Sequence, residues 1–158
     1  MKKQKRGKYR KAVFIITYFI DKDKKKNKKP VYLVLKRKLH WKGWEFPKGG
    51  IEKNETFILA VKREIGEETG LKIKNIKKFN LRGKYRYNKE YKDRRGFIGQ
   101  EYVLFSAEVR KNKVKLDKLE HSAYKWLPYS KAVNLLTWPN QRRGLGVVKK
   151  DLNLSKSK

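Results

Sequence analysis

The chain has 158 residues, a length that suits one domain with a buried core, and hydrophobic residues make up 38% of it. Its 45 basic and 15 acidic residues give a net charge of +30, which indicates either attraction for polyanions such as RNA or adaptation to heat. The chain contains no cysteine, which excludes disulfides and cysteine-based zinc sites.

The N-terminal region combines a basic segment, residues 1–11, with an apolar run over residues 12–20. The run imitates a signal peptide, but it is far shorter than the ~20 residues that cross a bilayer, and Asp21 follows it instead of a cleavage site. We interpret it as a buried strand that forms a hairpin with residues 31–35 across a lysine-rich connector, 21–30. Residues 1–11 are expected to be flexible, and the protein is expected to be cytoplasmic without membrane attachment.

Residues 39–50, LHWKGWEFPKGG, are predicted to be an aromatic loop that leads into a helix. Its last two residues, Gly49 and Gly50, indicate a tight turn whose backbone approaches a ligand closely. Asn54 is the expected N-cap of the helix and Gly70 its C-cap. Apolar residues recur at helical spacing between the caps and predict a buried face: Phe57, Ile58, Val61 and Ile65.

Three glutamates are predicted to share one face of this helix. Glu64 precedes Glu67 and Glu68 by three and four residues, offsets that bring side chains together on a helix. Crowded carboxylates repel one another, and clustered oxygen ligands are what Mg²⁺ or Mn²⁺ takes up. The sequence therefore predicts a divalent-metal site, and the alternative is a surface helix with solvated glutamates.

The rest of the chain is predicted to form further strands and two helices. The predicted strands are 73–81, 85–87, 97–109 and 124–127, and the predicted helices begin at Ser130 and Pro139. A polar loop covers 88–96, and Gly99 marks a bulge or a close backbone approach. The last helix is expected to run toward Val148, with a frayed basic tail over 151–158. No linker divides the predicted domain, 12–150.

The predicted loop and helix resemble the Nudix box, the signature of hydrolases that cleave nucleoside diphosphates linked to another group. The box is a glycine, five residues, a glutamate, seven residues, then Arg-Glu-aliphatic-any-Glu-Glu-any-Gly-aliphatic. Every position is filled here, by Gly49, Glu55, Arg63, Glu64, Ile65, Glu67, Glu68, Gly70 and Leu71. The resemblance covers about 12–148 and implies an α+β fold, in which a mixed β-sheet is sandwiched between α-helices.

Segments outside the box resemble the asymmetrical diadenosine tetraphosphate hydrolases and the related RNA 5′-pyrophosphohydrolases. These segments are WEFPKGG, RGFIGQEYVLF and the stretch that begins EHSAYKW. The resemblance implies metal-dependent cleavage of dinucleoside polyphosphates, with diadenosine tetraphosphate giving AMP and ATP. Three alternatives stay open: an RNA 5′-pyrophosphohydrolase, a nucleoside triphosphate pyrophosphohydrolase, and a polyanion-binding protein with a Nudix body.

The resemblance also implies roles for the residues of the box. Glu67 and Glu68 are the expected metal ligands, Glu64 shares a metal or acts as the base, and the backbone carbonyl of Lys48 joins them. Arg63 is expected to orient the glutamates.

One more catalytic carboxylate is expected from a later segment. Glu120 stands six residues before Trp126, the spacing at which related RNA pyrophosphohydrolases carry a functional glutamate. Glu101 is the other candidate, because it alternates with Val103 and Phe105 along one strand face. Glu120 is preferred over Glu101.

Substrate binding is expected from cations and aromatic rings near the loops. Lys48 is the preferred phosphate ligand because it lies inside FPKGG, and His40 is a further candidate. The remaining candidates are Arg37, Arg86 and Arg95 for phosphates, and Trp41, Trp44, Tyr85, Tyr87 and Tyr124 for stacking on a base. For each of them the alternative is a solvated cation or ordinary core packing.

Overall fold

The computed structural model describes residues 7–22 and 28–156, which form one mixed seven-stranded sheet flanked by helices on both faces. The strands are β1 Lys8–Ile20, β2 Pro30–Arg37, β3 Gly43–Glu45, β4 Lys48–Gly50, β5 Ile73–Arg86, β6 Phe97–Val109 and β7 His121–Leu127. The helices are α1 Phe57–Thr69, α2 Tyr129–Leu135 and α3 Pro139–Lys156, with a 3₁₀ turn over Lys92–Arg94. The predicted α+β architecture is confirmed. Within the described ranges, no helix combines the length and apolar character needed to cross a bilayer.

The sheet brings together segments that are far apart in sequence. Its main path is β3-β2-β1-β6-β5, with β1 parallel to β6 and antiparallel to β2, so the predicted hairpin is confirmed. The last residue of β2, Arg37, is paired with Gly43 of β3 on one side and with His121 of β7 on the other. The loop before α1 and the segment after β6 therefore meet at this end of β2.

Strand β1 is buried on both of its faces, which explains its continuous apolar run. Val13 and Ile15 pack into a core layer with α1, whereas Phe14 and Ile16 pack into a second layer with α2 and α3. Alternate residues of an extended strand point to opposite faces, so one strand anchors helices on both sides of the sheet.

Two helix starts differ from their predictions. Thr56 is the N-cap of α1, because its Oγ1 accepts a hydrogen bond from the Leu59 N–H at 3.2 Å, whereas Asn54 has a positive φ of 66°. The predicted C-cap at Gly70 is confirmed by its left-handed conformation, φ 69°. Helix α2 begins directly after Pro128 instead of at Ser130.

Several other boundaries also extend beyond the predictions. The predicted loop 39–50 contains β3 and β4, and the strands predicted at 73–81 and 85–87 are one strand, β5, whose register shifts between residues 78 and 82. Helix α3 continues past Val148 to Lys156, so the predicted fraying is wrong for 151–156.

The N-terminal prediction is wrong in part, because residues 8–11, expected to be flexible, belong to β1. The other predictions for the basic segments fall on residues 1–6, 23–27 and 157–158, which lie outside the described residues.

Gly99 lies at a close approach between β5 and β6, as predicted. A Cβ atom at this position would overlap the backbone carbonyl oxygen of Tyr85, which has no freedom to move aside. We expect Gly99→Ala to lower the free energy of unfolding by about 2–3 kcal/mol in urea denaturation, in the range of overpacked cores. Gly66→Ala is the control, because its Cβ would meet no atom within 4 Å and alanine stabilises a helix. A Gly99→Ala protein as stable as the wild type would contradict the close approach.

Candidate active site

Arg63 of α1 ties the helix to the loop before it. Its Nε and Nη2 donate to the two carboxylate oxygens of Glu55 at 2.8 and 2.9 Å, and Nη2 also donates to the Gly50 carbonyl at 2.8 Å. Its Nη1 donates to Glu64 Oε1 at 2.7 Å. The hydrogen bonds from Arg63 lower the pKa of Glu55 to about 2. This geometry suits the orienting role that was expected of Arg63.

Glu64 points from α1 onto the glycine pair of β4. A side chain at Gly49 would occupy the space of the Glu64 carboxylate, so the glycine permits this contact. Burial raises the pKa of Glu64 to about 7, against the lowering effect of Arg63. Glu67 lies on the outer side of the same face, with its side chain 59% exposed and 3.3 Å from Arg63 Nη1.

Glu68 meets a second carboxylate and a histidine from the start of β7. One ligand atom each from Glu68, Glu120 and His121 lies within 4.8 Å of the other two. Glu68 is only 2% exposed, and neither of its carboxylate oxygens has a hydrogen-bond partner among the described residues. Burial, and then the negative charges of Glu64 and Glu120, raise the pKa of Glu68 well above its usual range.

These carboxylates fit a hard divalent cation. A buried carboxylate without a donor is costly, and a cation that binds its orphaned oxygens removes that cost. The residues that would hold the metal are Glu64, Glu68 and Glu120, with Glu67 at the exposed edge. Glu120 is thus brought to the predicted cluster, whereas Glu101 is exposed on β6, in register with Lys11 and Lys84. The role of the Lys48 carbonyl stays a prediction.

Glu45, which the sequence analysis missed, is fully buried beside this cluster. Its Oε1 lies 3.2 Å from Arg37 Nη1 and 3.2 Å from His121 Nε2, and its Oε2 lies 3.0 Å from Lys48 Nζ. Burial alone would raise the pKa of Glu45, but Lys48, His121 and Arg37 outweigh burial and lower the pKa to about 2. The only sequence signal was its place in WEFPKGG, three residues before Lys48.

Arg37 is therefore not the phosphate ligand that was considered for it. It is 2% exposed and lies between two carboxylates, with Nη1 also 3.5 Å from Glu120 Oε2. Lys48, Glu45, Arg37 and Glu120 thus form one continuous chain of ion pairs that leads to the carboxylate cluster.

We expect Glu45→Gln to lower the free energy of unfolding by about 3–5 kcal/mol, the cost of breaking a buried ion pair from one side. The amide keeps the shape of the side chain but leaves the partly buried Lys48 and the buried Arg37 without their shared counter-charge. Urea denaturation measures the change, with the exposed Glu90→Gln as the control for loss of one negative charge. Equal stability of the two variants would contradict the assigned role of Glu45.

A cleft of about 400 Å³ opens beside Lys48 and is walled by aromatic rings. The rings belong to Trp41, Tyr85, Tyr87, Tyr91, Tyr102 and Trp138. Lys48 Nζ lies 4.6 Å from the centroid of the Trp41 ring and 5.5 Å from that of Tyr85. The Tyr85 hydroxyl is buried without a hydrogen-bond partner among the described residues. The cleft therefore offers stacking surfaces beside a fixed ammonium.

The structure places the substrate-binding candidates differently with respect to the cleft. Trp41, Tyr85, Tyr87, Lys48 and Arg86 line the cleft, whereas Trp44 and Tyr124 do not. His40 lies at its rim, where its ring packs 4.3 Å from that of Tyr91 and its Nε2 lies 3.0 Å from Asp93 Oδ1. Arg95 is exposed. Tyr91 and Trp138 come from segments that the sequence analysis left without a role.

The chain is similar to known proteins both in sequence and in fold. The NUDIX domain family matches residues 8–145. An RNA pyrophosphohydrolase of Halorhodospira halophila is 31% identical over 96 residues, covering 54% of this chain and 53% of the relative. An 8-oxo-dGTP diphosphatase of Buchnera aphidicola is 42% identical over 65 residues, covering 41% of this chain and 49% of the relative. The chain thus spans about half the length of these curated relatives. The structure of a C. elegans Ap4A hydrolase is 20% identical, with a TM-score of 0.67 over 93% of this chain and 98% of that one, and it shares the fold.

Proposed function

Because the chain belongs to the Nudix family of hydrolases, we propose that it is a Mg²⁺-dependent pyrophosphohydrolase that cleaves diadenosine tetraphosphate into AMP and ATP. The observation that supports this most is the connection between the two halves of the site. Lys48 lines the aromatic cleft, and ion pairs through Glu45 and Arg37 link it to Glu120. A base stacked in the cleft would direct its phosphates past the Lys48 ammonium toward the carboxylates.

The proposed chemistry follows from the charges of the site. Carboxylates alone would repel a phosphate chain, so the site needs a cation. The residues that would hold Mg²⁺ are Glu64, Glu67, Glu68 and Glu120. When bound, Mg²⁺ neutralises phosphate charge and activates water. Arg63 keeps Glu64 in place, and Arg37 keeps Glu120 in place. Glu120 is the proposed acceptor of the proton from the attacking water, because it is partly exposed at the edge of the cluster.

RNA with a 5′-triphosphate is the second candidate substrate. The relatives named RNA pyrophosphohydrolase support it, and so does the net charge of +30, which favours a polyanion. The base cleft and the carboxylates would serve both substrates alike, since each presents a nucleoside attached to a phosphate chain.

A substrate panel with product analysis tests the proposal. Diadenosine tetraphosphate, 5′-triphosphorylated RNA and a nucleoside triphosphate are compared with Mg²⁺ at equal concentrations, with the Glu68→Gln protein as the control for contaminating hydrolases. We expect diadenosine tetraphosphate to be cleaved fastest, and the RNA rate alone to fall steeply with salt. Faster cleavage of RNA would favour the second candidate. Faster cleavage of the nucleoside triphosphate would favour a nucleoside triphosphate pyrophosphohydrolase. No cleavage of any substrate would favour a polyanion-binding protein with a Nudix body.

A further inference from the structure

The loop between β5 and β6 directs one arginine toward the aromatic cleft. Arg94 is the last residue of the 3₁₀ turn, and its Cζ lies 5.6 Å from the centroid of the Trp41 ring and 5.3 Å from that of Tyr87. Its neighbour Arg95 is exposed instead. The sequence predicts a phosphate-binding candidate at Arg95 and none at Arg94.

Contacts on both sides hold Arg94 in this position. Asp93, the preceding residue, lies 3.0 Å from His40 Nε2, and the Tyr91 ring packs against both His40 and Tyr87. Arg94 Nη1 donates to the Tyr87 hydroxyl at 3.1 Å and to Gln100 Oε1 at 3.4 Å. No carboxylate of the described part of the chain forms an ion pair with Arg94, and its Nε and Nη2 donate to no acceptor there. Donors remain free for a ligand in a fixed direction.

A second arginine, Arg10 of β1, lies beside the glycine pair of β4. The Arg10 guanidinium lies against Gly50, where an added Cβ atom would overlap it. Burial, and then the positive charge of Arg94, lower the pKa of Arg10 below its usual range, while the charges of Tyr87 and Glu64 act in the opposite direction. Arg10 thus contacts Gly50, next to Gly49, which the Glu64 carboxylate contacts.

A phosphate chain carries several negative charges, so cations along its path stabilise it. A guanidinium offers paired donors that match phosphate oxygens, and it does so better than an ammonium. Arg94 touches the rings of the cleft, and Arg10 lies on the glycine loop that supports Glu64. Arg94 is thus beside the rings proposed for the base, and Arg10 is beside the loop next to the carboxylates proposed for hydrolysis.

We infer that Arg94 binds the phosphate chain of a nucleotide where the chain leaves the aromatic cleft. That the ligand is a nucleotide depends on the proposed function, but the group that Arg94 recognises is the phosphate itself. Arg94 acts on binding, so its loss reduces affinity for phosphorylated ligands and leaves stacking of the base in place.

The test compares Arg94→Gln with Arg95→Gln, which removes the same charge from the next residue of the same loop. Dissociation constants are measured by calorimetry, with Mg²⁺, for a non-hydrolysable methylene analogue of ATP and for adenosine. We expect Arg94→Gln to weaken binding of the ATP analogue by about tenfold or more, the size of a charge-assisted hydrogen bond, with adenosine affinity unchanged. Arg95→Gln should bind both ligands like the wild type, and Arg94→Lys should recover part of the lost affinity.

Three results would overturn the inference. The first is equal affinity of Arg94→Gln and Arg95→Gln for the ATP analogue. The second is a loss of adenosine affinity in Arg94→Gln equal to its loss of affinity for the analogue, which would indicate a purely structural role in the loop. The third is a wild type that binds the analogue no better than adenosine. Hydrolysis is assayed separately on the same proteins. Absence of turnover in the wild type would refute the proposed function, while the affinity ratios would still decide the role of Arg94.

Discussion

Glu68→Gln is expected to lower turnover of diadenosine tetraphosphate by about 10²–10³-fold, the effect of removing one strong electrostatic contact from an active site. The amide keeps the size of the side chain but loses the charge that would hold the metal. Glu67→Gln should also reduce turnover, but by less, because its carboxylate is 59% exposed and is not enclosed by the cluster. Initial rates at several Mg²⁺ concentrations measure both effects.

Thermal unfolding separates loss of the metal site from loss of the fold. Without metal, Glu68→Gln should be at least as stable as the wild type, because it removes one of several like charges from a buried cluster. Addition of Mg²⁺ should raise the unfolding temperature of the wild type and of Glu90→Gln, and raise that of Glu68→Gln much less. Full activity of Glu68→Gln, or a metal-induced stabilisation equal to that of the wild type, would contradict the assignment.

Glu120→Ala is expected to lower turnover by about 10²-fold or more at saturating Mg²⁺, the usual contribution of a general base. Its carboxylate lies with Glu68 and His121 and is 3.5 Å from Arg37 Nη1. Glu101→Ala is the matched control from the other candidate position, where the side chain is exposed on β6. The structure thus separates two residues that the sequence offered for the same role.

The comparison uses rates measured on proteins of equal stability. Truncation of Glu120 leaves Arg37 paired with Glu45, so the buried ion pairs should persist. A larger loss of turnover in Glu101→Ala than in Glu120→Ala would make Glu101 the extra carboxylate and would remove Glu120 from the proposed mechanism.

The carboxylate face of α1 was predictable because it depends on local geometry alone. Glu64, Glu67 and Glu68 share a face in any helix, whatever packs around it. The N-cap was harder to predict, since Asn54 and Thr56 are both suitable residue types. The hydrogen bond from the Leu59 N–H to Thr56 Oγ1 decides between them.

The buried network around Glu45 could not be predicted, because it depends on pairing between distant strands. Arg37 meets His121 only because β2 pairs with β7, and it meets Glu45 only because the chain turns back into β3. The sequence near His121 does not predict that the His121 ring lies 3.2 Å from Glu45, which is 76 residues away.

The aromatic cleft was predictable only in part, because some of its rings come from segments that are distant in sequence. Tyr85 lies on β5 and Tyr87 directly follows it, so the two could be proposed together, whereas Trp138 comes from the segment before α3. The choice between Arg94 and Arg95 depends on a single 3₁₀ turn, and neither helical nor strand periodicity describes so short an element.

Hydrolysis of diadenosine tetraphosphate by the wild-type protein, with Mg²⁺ or with EDTA, tests the central claim most directly. If the carboxylate cluster and the aromatic cleft form one metal-dependent site, chromatography should show AMP and ATP in equal amounts with Mg²⁺ and no products with EDTA. Two molecules of ADP per substrate would contradict asymmetric attack, and equal rates with Mg²⁺ and with EDTA would contradict a metal-dependent site altogether.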